Sequence, residues 1–167
     1  ALGSITMFII ARIWGVKVMK WLVGEEKASY IGDYAFRYSK LTAVSIGANV
    51  TEIGKYSFAN CTALKTVSFS SDNNKLTKIG AYAFMANSAL TAVNNIPDTV
   101  STIGRNAFQT CSALTSIILP SALTKIEESV FQACSKLADV TIQSSVASIE
   151  KRAFYNSGIT EVTVPSA

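Results

Sequence analysis

One six-residue phrase governs what this chain can become. Ile103-Gly104-Arg105-Asn106-Ala107-Phe108 is one of six versions, which open at Ile31, Ile53, Ile79, Ile103, Ile126 and Ile149 and end on Phe five residues later. Successive openings are 22, 26, 24, 23 and 23 residues apart. A unit of about 23 residues is too short to bury its own apolar face, so neighbouring units must stack and share one core. The period therefore predicts a solenoid, with one coil per repeat.

A second phrase follows each Phe. Leu64-Lys65-Thr66-Val67-Ser68-Phe69 has counterparts at Leu41–Ile46, Leu114–Leu119, Leu137–Ile142 and Ile159–Val164. Apolar residues there alternate with small polar ones, the signature of a short strand with one buried side. Stacked in parallel, these strands would point outward a row comprising Ala43, Ser45, Thr66, Ser68, Ala92, Asn94, Ser116, Ile118, Asp139, Thr141, Glu161 and Thr163. The third copy, Leu90–Ile96, is one residue longer, which predicts a bulge or local bend. Turn residues such as Pro97-Asp98 and Pro120-Ser121 separate this strand from a second extended piece ending at the next Ile. That piece carries another outward row, Thr51, Thr77, Ser101 and Thr124. The Ala-Phe segment reads as a short helical turn, its Phe residues forming an interior spine. The expected class is an α/β solenoid of short parallel strands and short helical turns.

Composition narrows function mainly by exclusion. The chain has no histidine, which removes the commonest general base and histidine-bearing metal sites. No Gly-rich phosphate loop, nucleophile elbow or metal-spaced cluster is present, so neither catalysis, a cofactor nor a metal is expected. The net charge of +4 is small, and no basic stripe of the kind that holds nucleic acid runs along the repeats. The three cysteines, Cys61, Cys111 and Cys134, all stand three residues after a repeat Phe, where other copies carry Ser39 and Asn87. Such a slot predicts an inward polar ladder of buried thiols. Cys111 and Cys134 lie on adjacent coils, about 5 Å apart at strand spacing, so a disulfide between them is also geometrically open.

Together the phrases Ile-Gly-x-x-Ala-Phe, Cys-x-x-Leu and Leu-x-x-Val-x-Ile-Pro resemble the BspA-type leucine-rich repeats. The fullest match is Ile103–Pro120, IGRNAFQTCSALTSIILP, and the resemblance spans residues 31–167. Departures are local: Ser57 and Val130 replace the Ala, and Glu127 and Glu150 replace the Gly. The resemblance implies an extracellular or cell-surface protein, adhesin-like, with a protein ligand or host cell-surface component as partner.

Residues 1–30 stand outside the repeat and form a separate N-terminal segment. Two readings stay open for it. Phe8, Ile13, Val16 and Val18 reproduce the spacing of Phe154, Ile159, Val162 and Val164, as a degenerate capping coil would. Alternatively, Arg12, Lys17 and Lys20, with Trp14 and Trp21, form an amphipathic element within residues 1–24 for homo-oligomer, filament or membrane contact. Three cations within Ile5–Val23 argue against a membrane span. The sequence thus predicts an interaction module that binds protein or glycan through the outward sheet row (Ser45, Thr66, Ser68, Asn94, Ser116, Ile118, Asp139, Thr141, Glu161 and Thr163). The alternative is a self-assembling structural protein that displays its coils.

Overall fold

The computed structural model describes residues 29–71 and 73–163. Coils numbered from each repeat Ile stack along one axis as a parallel β-solenoid. The strands fall into two rows. The first comprises β2 (Ala43–Ile46), β4 (Thr66–Phe69), β6 (Ala92–Asn94), β8 (Ser116–Ile118) and β10 (Asp139–Thr141). The second comprises β1 (Tyr30–Ile31), β3 (Glu52–Ile53), β5 (Lys78–Ile79), β7 (Thr102–Ile103), β9 (Lys125–Ile126) and β11 (Ser148–Ile149). Neighbours pair in parallel with equivalent residues in register, as in Val44↔Val67↔Val93 and Ile31↔Ile53↔Ile79↔Ile103. Alternation sends Val67 and Phe69 into the core while Thr66 and Ser68 face outward.

The Ala-Phe segments correct one expectation. They are runs of β-turns, and the described residues contain no α-helix. In the first coil Ala35, Arg37 and Ser39 donate to the carbonyls three residues back, while the alternate N–H groups of Tyr34, Phe36 and Tyr38 donate to Lys55, Ser57 and Ala59 of the next coil. A helix would turn the N–H groups beyond its first turn back onto its own carbonyls and remove the alternating donors that stacking uses. The turn run needs left-handed backbone at two places per coil. They are filled without glycine: Tyr34 and Tyr38, Tyr56 and Asn60, Tyr82 and Ala86, Asn106 and Thr110, Ser129 and Ala133, and Arg152 and Asn156, all with φ between 55° and 63°. Each such residue costs about 1–2 kcal/mol. Three inter-coil bonds per step, at about 1 kcal/mol each, together with ring burial, offset that cost.

The spine is as the period implies. Phe36, Phe58, Phe84, Phe108, Phe131 and Phe154 stack with ring centroids 5.1–5.8 Å apart and planes within 9°. The four inner rings are fully buried.

Both strand ladders break within one revolution of chain. β6 does not pair with β8, and β7 does not pair with β9, although the turn ladder runs through unbroken from Phe84 to Phe108 to Phe131. The first break follows the extra residue: Asn95 turns left-handed at φ 59°, and β6 stops at Asn94. The second follows the loss of glycine. At Gly104 an added Cβ would lie 2.5 Å from the Ala81 nitrogen and 2.8 Å from its Cα, so only glycine permits this approach to the preceding coil. Gly54, Gly80 and Gly104 each donate an N–H to the repeat Ile carbonyl one coil back, at 2.7–2.8 Å. Glu127, the first non-glycine in the series, makes no such bond to Ile103. Glu150, stacked on a coil that itself carries Glu, regains it at 2.9 Å from Ile126.

Candidate binding faces

Three faces run along the stack, and hydrogen bonding separates them. On the first strand row the expected side chains are brought together in register: Ser45 beside Ser68 and Asn94, Thr66 between Ala43 and Ala92, Ser116 beside Asp139, and Ile118 beside Thr141. All are exposed or half-exposed, Ile118 by 67%. Glu161 and Thr163 are also exposed and lie past the last strand. None of the side chains of Ser45, Thr66, Ser68, Asn94, Ser116 and Thr141 has a hydrogen-bond partner among the described residues. The row is not one sheet, because the β6–β8 gap divides it.

The second row behaves differently. Thr51 Oγ1 donates to Ser29 O at 2.7 Å, Thr77 Oγ1 to Thr51 O at 3.2 Å and Ser101 Oγ to Thr77 O at 3.4 Å. These three hydroxyls stitch coils together and are committed to the fold, whereas Thr124, the fourth of the row, is exposed and makes no such bond among the described residues.

The third face lies on the turn ladder and was not singled out by the repeat pattern. Tyr34, Tyr56 and Tyr82 stack at 5.2 and 4.5 Å, with planes 13° and 6° apart. The Arg37 guanidinium sits 5.6, 4.6 and 5.1 Å from the ring centroids of Tyr34, Tyr38 and Tyr56. Lys55 lies over Tyr56 and Arg105 over Tyr82. The signal was present in the sequence, since Tyr fills the fourth place of the phrase in the first three copies only.

Inside, the slot behind Phe is the expected polar ladder. Cys61, Cys111 and Cys134 are buried free thiols, each donating to the carbonyl of the preceding coil's Phe slot: Phe36 at 3.0 Å, Phe84 at 3.2 Å and Phe108 at 3.1 Å. Cys111 and Cys134 therefore form no disulfide with each other. Asn87 accepts the Cys61 N–H at 2.8 Å, and Ser39 shares a hydrogen with the Cys61 sulfur at 3.1 Å. Burial raises all three thiols, Cys134 to about 12, and Cys111 is raised further by its neighbour Cys134. Protonated, enclosed thiols of this kind are poor nucleophiles and poor metal ligands. Among the described residues no three His, Cys, Asp or Glu side chains gather as a metal site would require. Glu127 is engaged with Lys125 at 3.4 Å. Arg12, Trp14, Lys17, Lys20 and Trp21, and with them both readings of residues 1–30, lie outside the described residues.

Comparison with known proteins agrees with this architecture. No curated protein matches the chain. A crystal structure of a leucine-rich cell surface protein from Faecalibacterium prausnitzii is 37% identical, superposes with a TM-score of 0.74, and is matched over 87% of this chain and 40% of its own. A leucine-rich repeat protein from Eubacterium ventriosum (24% identity, TM-score 0.66, 82% of this chain and 45% of its own) and one from Bacteroides ovatus (22%, 0.57, 90% and 51%) share the fold. The chain thus spans about half, or less, of the length of these relatives. The model of the BspA-type leucine-rich repeat region (6 copies) matches residues 73–167, more than half of the sequence, and the chain belongs to that family.

Proposed function

We propose that this chain is a non-catalytic recognition module of a surface or secreted protein, and that it binds a protein partner through the first strand row. The observation that carries the reading is the contrast between the two hydroxyl rows. Ser45, Ser68, Asn94, Ser116 and Thr141 keep their donors and acceptors free, whereas Thr51, Thr77 and Ser101 bond the preceding coil. Small side chains with free polar groups on a rigid sheet lose little entropy on contact. Ile118, on the edge strand beside the β6–β8 gap, adds an exposed apolar contact to the row. The name of the F. prausnitzii relative, a cell surface protein, supports a surface location, and leucine-rich repeats generally mediate protein interaction.

The test is binding of the fluorescently labelled chain to cultured epithelial cells by flow cytometry. Ser68→Arg combined with Ile118→Arg should reduce binding at least tenfold, and Thr51→Arg combined with Ser101→Arg should leave most of it. Absence of cell binding, or equal loss from both pairs, rejects the assignment.

A further inference from the structure

The turn face carries positive charge that no carboxylate among the described residues neutralises. Arg37, Lys55 and Arg105 lie against tyrosine rings, and none has a carboxylate partner among the described residues. Arg37 Nε is shielded from solvent and has no acceptor among the described residues. Asp33, the acid nearest this patch in sequence, accepts hydrogen bonds through Oδ1 from the Tyr30 hydroxyl at 3.0 Å and the Lys55 N–H at 2.7 Å, and makes no ion pair among the described residues. Lys125 is held at 3.4 Å by both Glu127 and Glu150, and Lys78 by Glu52 at 2.7 Å. What sets Arg37, Lys55 and Arg105 apart from the other unpaired cations among the described residues is the tyrosine ring against each. Tyr34 is 43% and Tyr38 66% exposed, so both rings and cations are reachable. The hydroxyls of Tyr34, Tyr56 and Tyr82 have no partner among the described residues.

We propose that this face is a second binding site, distinct from the first strand row, and that it takes an acidic polysaccharide lying along the solenoid axis. Three features select that ligand. The exposed Tyr38 ring and the tyrosine edges offer the stacking and hydroxyl contacts that pyranose rings accept. A guanidinium clamped by rings is desolvated and fixed in direction, and it pairs in two-pronged fashion with a carboxylate or sulfate. The periodicity also fits: coils advance by about 4.8 Å per step, close to the length of one pyranose unit in a linear chain. Side chains on one side of an extended peptide repeat at about 6.6 Å and fall out of register with the stack. The stacked rings are already rigid, so little ordering is needed on binding.

The experiment is surface plasmon resonance on the full chain with heparin (sulfate-bearing), hyaluronan (carboxylate-bearing), neutral dextran and poly-glutamate as probes. Heparin, hyaluronan or both should bind while dextran does not, and the preferred one shows which anion is read. Arg37→Gln and Tyr38→Ser should each weaken that binding at least tenfold at an unchanged melting temperature, and Lys125→Gln should leave it intact. Binding of neither acidic polysaccharide overturns the proposal. So does equal loss in Lys125→Gln, which indicates diffuse charge attraction, or tighter binding of poly-glutamate, which makes the face a peptide site.

Discussion

The β1–β7 portion and the β8–β11 portion of the solenoid are built from the same phrase and stack on different terms. Before the break, glycine at the second place of the phrase lets coils approach until backbone nearly meets backbone, tyrosines stack along the turn, and cations lie on rings. Beyond it, Glu127 and Glu150 replace the glycines, Ser129 and Arg152 replace the tyrosines, and charge is neutralised by Lys125. The Phe spine and the turn ladder cross between the two without interruption. Continuity of this solenoid therefore resides in its turns and rings, and its strands can change partners without ending the array.

The strongest way to break that comparison is to remove the ring at the junction. Phe108, stacked on Phe84 and Phe131, should cost about 3–5 kcal/mol when changed to Ala, as should Phe58. Only Phe108→Ala should also split thermal unfolding into two transitions, because no strand pairing spans that step and only the Asp98 bonds to Ser121 and Ala122 support the turns there. Calorimetry that shows one transition for both variants refutes the division.

Alkali should separate the portions next. A buried thiol keeps its proton where the unfolded chain loses it, so its contribution is complete below the ordinary value of 9.0 and declines as pH rises towards about 12, the folded value for Cys134. The slope is about 1.4 kcal/mol per pH unit for each thiol. Cys61 has the Ser39 hydroxyl beside it, which opposes its upward shift. Urea unfolding between pH 8 and 11 should therefore flatten more in Cys134→Ser than in Cys61→Ser, and the reverse order contradicts the assignment.

Gly104→Ala drives a methyl into the Ala81 backbone and should lose about 1–3 kcal/mol in chemical denaturation. Its converse, Glu127→Gly, removes the side chain that coincides with the missing bond. Hydrogen exchange at residue 127 should then slow at least tenfold; unchanged exchange leaves Asn95 as the sole cause of the break.

The smallest effect sharpens the picture within the first portion. Ser57 stands where most copies have Ala, and its buried hydroxyl has no partner among the described residues. Ser57→Ala should raise stability by about 1 kcal/mol, read from the denaturation midpoint.

Much of this was legible from the repeat. Spacing located the strands, the Phe spine and the polar slot of Ser39, Cys61, Asn87, Cys111 and Cys134, because each is set by which residues must face inward. The extra residue before Ile96 marked the place where β6 stops and Asn95 turns left-handed. The turns were not legible. Tyr34, Asn106 or Arg152 has no local reason to be left-handed, and only the hydrogen bonds of the neighbouring coil impose it. The tyrosine face was hidden because a repeat pattern emphasises what copies share, and this face exists where three copies differ from the rest. Glu127 looked harmless, since crowding at that place comes from the backbone of another coil.

A rod of identical segments bends evenly, but among the described residues this one has a step at which both flanking strand ladders are absent and, beside the turns, only the Asp98 corner is bonded, to the N–H groups of Ser121 and Ala122. Load applied along or across the axis will concentrate there. The strand rows will part between β6 and β8 and between β7 and β9 before any other step yields, and the stacked turns will act as the hinge pin. For a protein exposed to shear, that step sets the compliance of the array, and one inserted residue with one lost glycine is enough to place it.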